Sequence, residues 1–137
     1  MTSPAIAGGS ARPFGWTLAG ILLVGLVLRA VGIDFGLPAV YNVDEVAIMS
    51  RALAFAKGDL NPHNFLYPTF YFYVLFGWIG GYFAAGYALG LIPSVQAFQS
   101  QFFVDPTGVY LAGRALSVVC GLVTIGLVSR LASSCST

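Results

Sequence analysis

From Tyr67 to Ile92 the chain carries no charged side chain at all. As a helix this stretch is long enough to cross a bilayer core, which takes about 20 residues. Two further runs have the same character. One extends from about Phe14 to Ile33 with Arg29 near its end, the other from about Gly108 to Ala132 with Arg114 and Arg130 toward its two ends. Arginines so placed are able to snorkel to lipid headgroups. Only 8% of the residues are charged, against about 25% in an ordinary soluble domain. Too few charges remain to cover a water-exposed surface. The expected fold class is therefore all-α integral membrane, with three transmembrane helices over residues 14–33, 67–92 and 108–132. A net charge of +1 and the lack of a basic run give no sign of a nucleic-acid partner.

Small residues recur in the second and third runs: Gly77, Gly80, Gly81, Gly86 and Gly90, then Gly113, Gly121 and Gly126. Such positions let helices approach closely, so these runs are expected to pack against other helices. Cys120 and Cys135 form no metal or disulfide framework, and Cys120 is expected to be a small buried side chain. The first run, with Arg12 ahead of it and Ala30-Val31-Gly32 at its end, has a rival reading as a signal peptide. Arg29 beside the supposed cleavage point argues against that reading. The head, residues 1–13, is rich in Ala, Gly and Ser and reads as disordered. The tail, residues 133–137, stops abruptly, and the chain reads as an N-terminal piece of a larger bundle.

Between the first two runs lie Asp34, Asp44, Glu45 and Asp59, together with His63, the only histidine. Here Val43 to Lys57 has a helical pattern, with Val46, Met49, Leu53 and Ala56 on one apolar face. Gly58 marks its stop. Fifteen residues give a rod roughly 22 Å long, expected to lie along the membrane surface as an amphipathic juxtamembrane helix. Asn42 is a natural cap, and Glu45 stands at capping-box spacing behind it. Both acids also suit the positive end of the helix dipole. Against this capping reading stands a catalytic one. Asp44, Ala47, Ile48 and Arg51 share a face, so Arg51 stands two turns, about 10.5 Å, from Asp44. That spacing suits an acid and a base meeting opposite ends of one substrate. Tyr67, Phe70, Tyr71, Phe72 and Tyr73 read as an interfacial aromatic belt, or as rings that line a site. His63 follows the turn at Asn61-Pro62 and reads as structural. A divalent ion on Asp44, Glu45 and His63 requires the loop to fold back.

With these residues in view, "GIDFGLPAVYNVDEVAIMSRALAFAKGDLNPHNFLYPTFYFYVL" followed by "DPTGVYLAGRALSVVCGLVTIGLV" resembles the start of GT-C-type membrane glycosyltransferases. More narrowly, it is similar to family 39 and its relatives, the protein O-mannosyltransferases, the lipid A aminoarabinose transferases and the bacterial dolichyl-phosphate-mannose mannosyltransferase-like proteins. The resemblance implies a multi-pass protein of the plasma (inner) membrane whose first loop faces away from the cytoplasm. It implies a polyprenyl-phosphate-linked sugar as donor and an inverting transfer to an acceptor hydroxyl. Asp44 and Glu45 are then the catalytic candidates, and Arg51, His63 and Tyr67 the substrate-binding ones. The aminoarabinose branch carries an Arg three residues after the acid, where this chain has Ala47, and a Lys ahead of the prolines, where it has Leu66-Tyr67-Pro68. The 137-residue chain alone is expected to be inactive. The competing expectation is a non-enzymatic three-span accessory or assembly protein.

Overall fold

The computed structural model describes residues 12–63 and 65–135, so the predicted head lies largely outside the described residues, while residues 133–135 of the predicted tail continue the last helix. Every regular element among them is helical: α1 (Arg12–Ala30), α2 (Val43–Ala54) with a 3-10 turn at Phe55–Lys57, α3 (Thr69–Ala88), α4 (Val95–Val104) and α5 (Thr107–Cys135). Among the described residues one helix, α5, is both long and apolar enough to cross a membrane. Its 29 residues reach about 43 Å at 1.5 Å each. The apolar stretch Gly15–Ala30 of α1 is shorter. The 20 residues of α3 include four tyrosines and a tryptophan, whose O–H and N–H groups make it less apolar than its freedom from charge suggests.

The chain divides into two compact units. One comprises residues up to Val31 together with Cys120 onward, and so pairs α1 with the C-terminal half of α5. Glycines make this pairing close: a Cβ on Gly25 would stand 3.2 Å from Ile125 Cδ1, and one on Gly121 would stand 2.7 Å from Arg29 Nε. Pairing of 25 with 125 and of 29 with 121 sets these helix segments antiparallel. Cys120 is exposed, not buried as expected. Val119, Val123, Leu127, Val128 and Leu131 are exposed with it, so the apolar character of this half of α5 is turned outward rather than into a core.

The other unit, Gly32–Val119, holds the core. Met49 and Ala52 of α2, Leu75 and Ile79 of α3, and Val109, Tyr110 and Leu116 of α5 are buried together. The N-terminal half of α5 packs antiparallel to α3. Tyr82 meets Gly108, where a Cβ would lie 2.7 Å from the phenol oxygen. One turn away, Trp78 Nε1 donates to the Ala112 carbonyl at 2.8 Å. Gly113 clears space for Met49, whose Cε would be 2.7 Å from an added Cβ. Gly113 thus acts as packing surface, as Gly121 does in the other unit, whereas a Cβ on Gly77, Gly80, Gly81, Gly90 or Gly126 would meet nothing within 4 Å, so those glycines do not pack as expected.

Each helix end has a local cause. Asn42, in extended conformation, caps α2, and Gly58 at φ +92° ends the 3-10 turn that follows. Pro68 opens α3. Its other end is a Schellman turn: the N–H of Leu91 reaches the Gly86 carbonyl at 2.8 Å and that of Gly90 the Tyr87 carbonyl at 3.0 Å. Gly90 supplies the left-handed residue this needs, at φ +72°, and the helix stops short of the expected Ile92. Helix α4 falls where a plain connection was expected. Ser94 caps it by accepting the Ala97 N–H at 3.1 Å, and Phe98 and Phe102 pack on Phe83 and Tyr110. Ahead of α5, Asp105 Oδ1 accepts the Thr107 N–H at 3.0 Å, and the Pro106 carbonyl accepts the Tyr110 N–H at 3.1 Å.

Candidate functional site

Of the residues singled out in the first loop, Asp44, Glu45 and Tyr67 meet at the N-terminal turn of α2. Burial of Met49, Ala52 and Phe55 fixes one face of this helix in the core, and Phe55 stacks on Tyr73 of α3 at 5.0 Å. Phe72 is completely buried. Tyr73 therefore holds the turn after α2 against α3, and Phe72 is buried beside Tyr67, so neither is a free member of an interfacial belt, whereas Phe70 is exposed. At the start of α2, Asn42 Oδ1 accepts the Asp44 N–H at 3.1 Å.

The two adjacent acids take different partners. Glu45 does not turn back to complete a capping box. Its Oε1 accepts from Arg114 Nε at 2.7 Å and its Oε2 from Arg114 Nη2 at 2.9 Å. This two-point geometry is the strong, directional form of an arginine–carboxylate pair. The remaining nitrogen, Arg114 Nη1, donates to the carbonyls of Ile33 and Phe35 at 2.6 and 2.8 Å. One guanidinium thus ties the turn after residue 32, the head of α2 and α5 together. Arg114 does not snorkel as a lone cation, because a carboxylate and two carbonyls lie within its reach. The turn it grips is shaped by Gly36 at φ +80°, and an added Cβ there would stand 2.9 Å from the Tyr41 ring.

Asp44 stays exposed. Its Oδ1 accepts the Tyr67 hydroxyl at 2.7 Å, joining the head of α2 to the residue just ahead of α3. Donation of this proton to a carboxylate pushes the Tyr67 phenol up from its ordinary value of 10.0, and the positive charge of Arg51 pulls the other way. Arg51 Nη1 donates to the Ala47 carbonyl at 3.1 Å. Asp44 and Tyr67 form one hydrogen-bonded pair. His63 belongs elsewhere: its Nε2 pairs with Asp59 Oδ2 at 2.7 Å. That contact, and the Asn61 amide, hold the Asp59 carboxyl below the usual carboxylate range.

Glu45 and His63 are thus committed to Arg114 and Asp59, and the loop does not bring them to Asp44. Among the described residues no three His, Cys, Asp or Glu side chains converge as metal ligands would. Arg114 is the residue of this site that sequence reasoning missed. The available signal was a lone arginine within an apolar run, since such residues pair with a buried acid or with backbone carbonyls. No family model matches the chain, and no curated protein or solved structure is significantly similar to it.

Proposed function

We propose that this chain carries the first loop and flanking spans of a multi-pass membrane glycosyltransferase, one that takes a sugar from a polyprenyl-phosphate donor at the extracytoplasmic face of the plasma membrane. The observation that carries the reading is the exposed Asp44 carboxylate at the head of α2, with a hydroxyl already seated on it at 2.7 Å. In this scheme α1, α3 and α5 are the spans, and α2 lies at the lipid boundary. A polyprenyl tail stays in the bilayer, so its sugar is presented at that depth. An acceptor hydroxyl takes the place of the Tyr67 hydroxyl, or the second oxygen of Asp44. As its oxygen bonds to the anomeric carbon, Asp44 takes its proton and the carbon–oxygen bond to phosphate breaks. The phosphate leaves with the electron pair, and attack from the opposite face inverts the anomeric centre. Arg51, on the same side of α2, is the cation available to the leaving phosphate.

The test is Asp44→Asn in a protein that includes the spans needed to enclose a donor. Transfer from a lipid-linked sugar should fall by about 100-fold or more, the usual contribution of a general base. Donor binding and helical content should be unchanged. Undiminished turnover would remove Asp44 from the mechanism. A second reading, a non-enzymatic accessory subunit, is favoured by the use of Glu45 as a structural ligand. It requires the same substitution to alter partner binding and not turnover.

A further inference from the structure

The unit formed by α1 and the C-terminal half of α5 has a feature that the proposed reaction does not use. Ala19, Leu22, Leu23 and Leu26 follow one stripe of α1 and, with Leu122 and Val123 of α5, line a shallow groove that is almost wholly apolar. The stripe continues to Arg29, three residues beyond Leu26. The guanidinium of Arg29 crosses to α5 over Gly121, which has no side chain to block it. Its Nη1 spends one long contact, 3.4 Å, on the Gly25 carbonyl. A guanidinium has five donors, so most remain for a ligand. The side chain is exposed.

Resting on the membrane reading above, we infer that this groove with Arg29 at its end is a binding site for an anionic phospholipid of the surrounding bilayer. The phosphate sits on Arg29 and one acyl chain lies along the leucines. Charge complementarity sets the sign of the headgroup, since the groove supplies one cation and no acid. Length favours an acyl chain over a polyprenyl one: Ala19 to Leu26 spans about 10.5 Å of helix, a fraction of an isoprenoid tail. Gly121 is the positioning residue, because any side chain there displaces the guanidinium.

The chain is purified in detergent, stripped of lipid and offered phosphatidylglycerol and phosphatidylcholine in equal amounts, with adducts read by native mass spectrometry. Phosphatidylglycerol should be retained about fivefold over phosphatidylcholine, the preference expected of one basic residue near anionic lipid. Arg29→Gln should abolish that preference and Arg29→Lys should keep it. Gly121→Val should weaken it with the charge intact, which separates positioning from simple attraction. Equal retention of the two lipids, an unchanged preference in Arg29→Gln, or displacement of phosphatidylglycerol by an equimolar polyprenyl phosphate would each overturn the assignment. Failure of the membrane reading itself shows separately, as release of the chain from membranes by alkaline carbonate.

Discussion

Replacing Arg114 by Met tests the Arg114–Glu45 clamp. The substitution keeps an unbranched apolar stem and removes four hydrogen bonds, two to Glu45 and one each to the Ile33 and Phe35 carbonyls. Hydrogen bonds to charged groups contribute about 1.5–3 kcal/mol each, but these share one guanidinium and do not add. Stranding one partner of a fully buried pair costs about 3–5 kcal/mol. Both side chains here keep 21% exposure, so water still reaches the stranded carboxylate. The expected loss is therefore about 2–3 kcal/mol. Glu45→Gln retains one acceptor and should cost less. A double-mutant cycle, read by denaturant unfolding in detergent micelles, should return a coupling of about 2 kcal/mol between the two positions. Coupling below about 0.5 kcal/mol, with both variants folded, would show that the clamp contributes geometry without stability.

Loss of the Asn42 cap in Asn42→Ala should destabilise α2 by about 1 kcal/mol in the same unfolding assay. Gly36→Ala places a Cβ at φ +80° and 2.9 Å from the Tyr41 ring, so it should cost about 1–2 kcal/mol from backbone strain alone. The Asp59 carboxyl, lowered by His63 and the Asn61 amide, should titrate below its ordinary value of 3.8. Its stabilising contribution is in force above that pH and fades as pH falls through the lower folded value; a carboxyl carbon resonance titrating at the free value would contradict the contact. Tyr67, raised by Asp44, behaves in the opposite sense. Its contribution holds below pH 10.0 and is lost as pH rises through the higher folded value. Asp44→Asn should bring the phenol back down, as seen by the Tyr67 ring resonances.

What the sequence disclosed was local. Asn42 and Gly58 bound the loop helix because a side-chain cap and a left-handed glycine act within one turn of where they stand. Helix α4 was equally local, with Ser94 as cap and Val95, Phe98 and Phe102 on one side. It was overlooked because a short helix between two long apolar runs is easily taken for their connection. The Glu45–Arg114 pair spans 69 positions, and nothing near Glu45 signals it. The expectation of three membrane-crossing helices came from the length of three runs and their scarcity of charge. Length and apolarity together single out α5, because the aromatic residues of α3 are uncharged without being fully apolar.

Glu45 and Asp44 are neighbours, and neighbours on an α-helix point about 100° apart. One side chain of the pair is therefore able to enter the packed side while the other remains in solution. The choice is made by Arg114, whose guanidinium stands where Glu45 points. A carboxylate fixed at two points has little freedom to accept a proton from a passing hydroxyl. Its neighbour, held only by Tyr67, has that freedom. Glu45 adds a polar anchor to the buried face of α2, and so bears on the direction of Asp44. It follows that Glu45→Asp, one methylene short of Arg114, should impair any activity that depends on Asp44 while leaving the Asp44 carboxylate chemically intact. In Glu45→Asp the Asp44–Tyr67 contact should loosen, and the Tyr67 phenol should titrate nearer its ordinary value. An unmoved Tyr67 titration in that variant would mean that α2 is oriented by its apolar face alone.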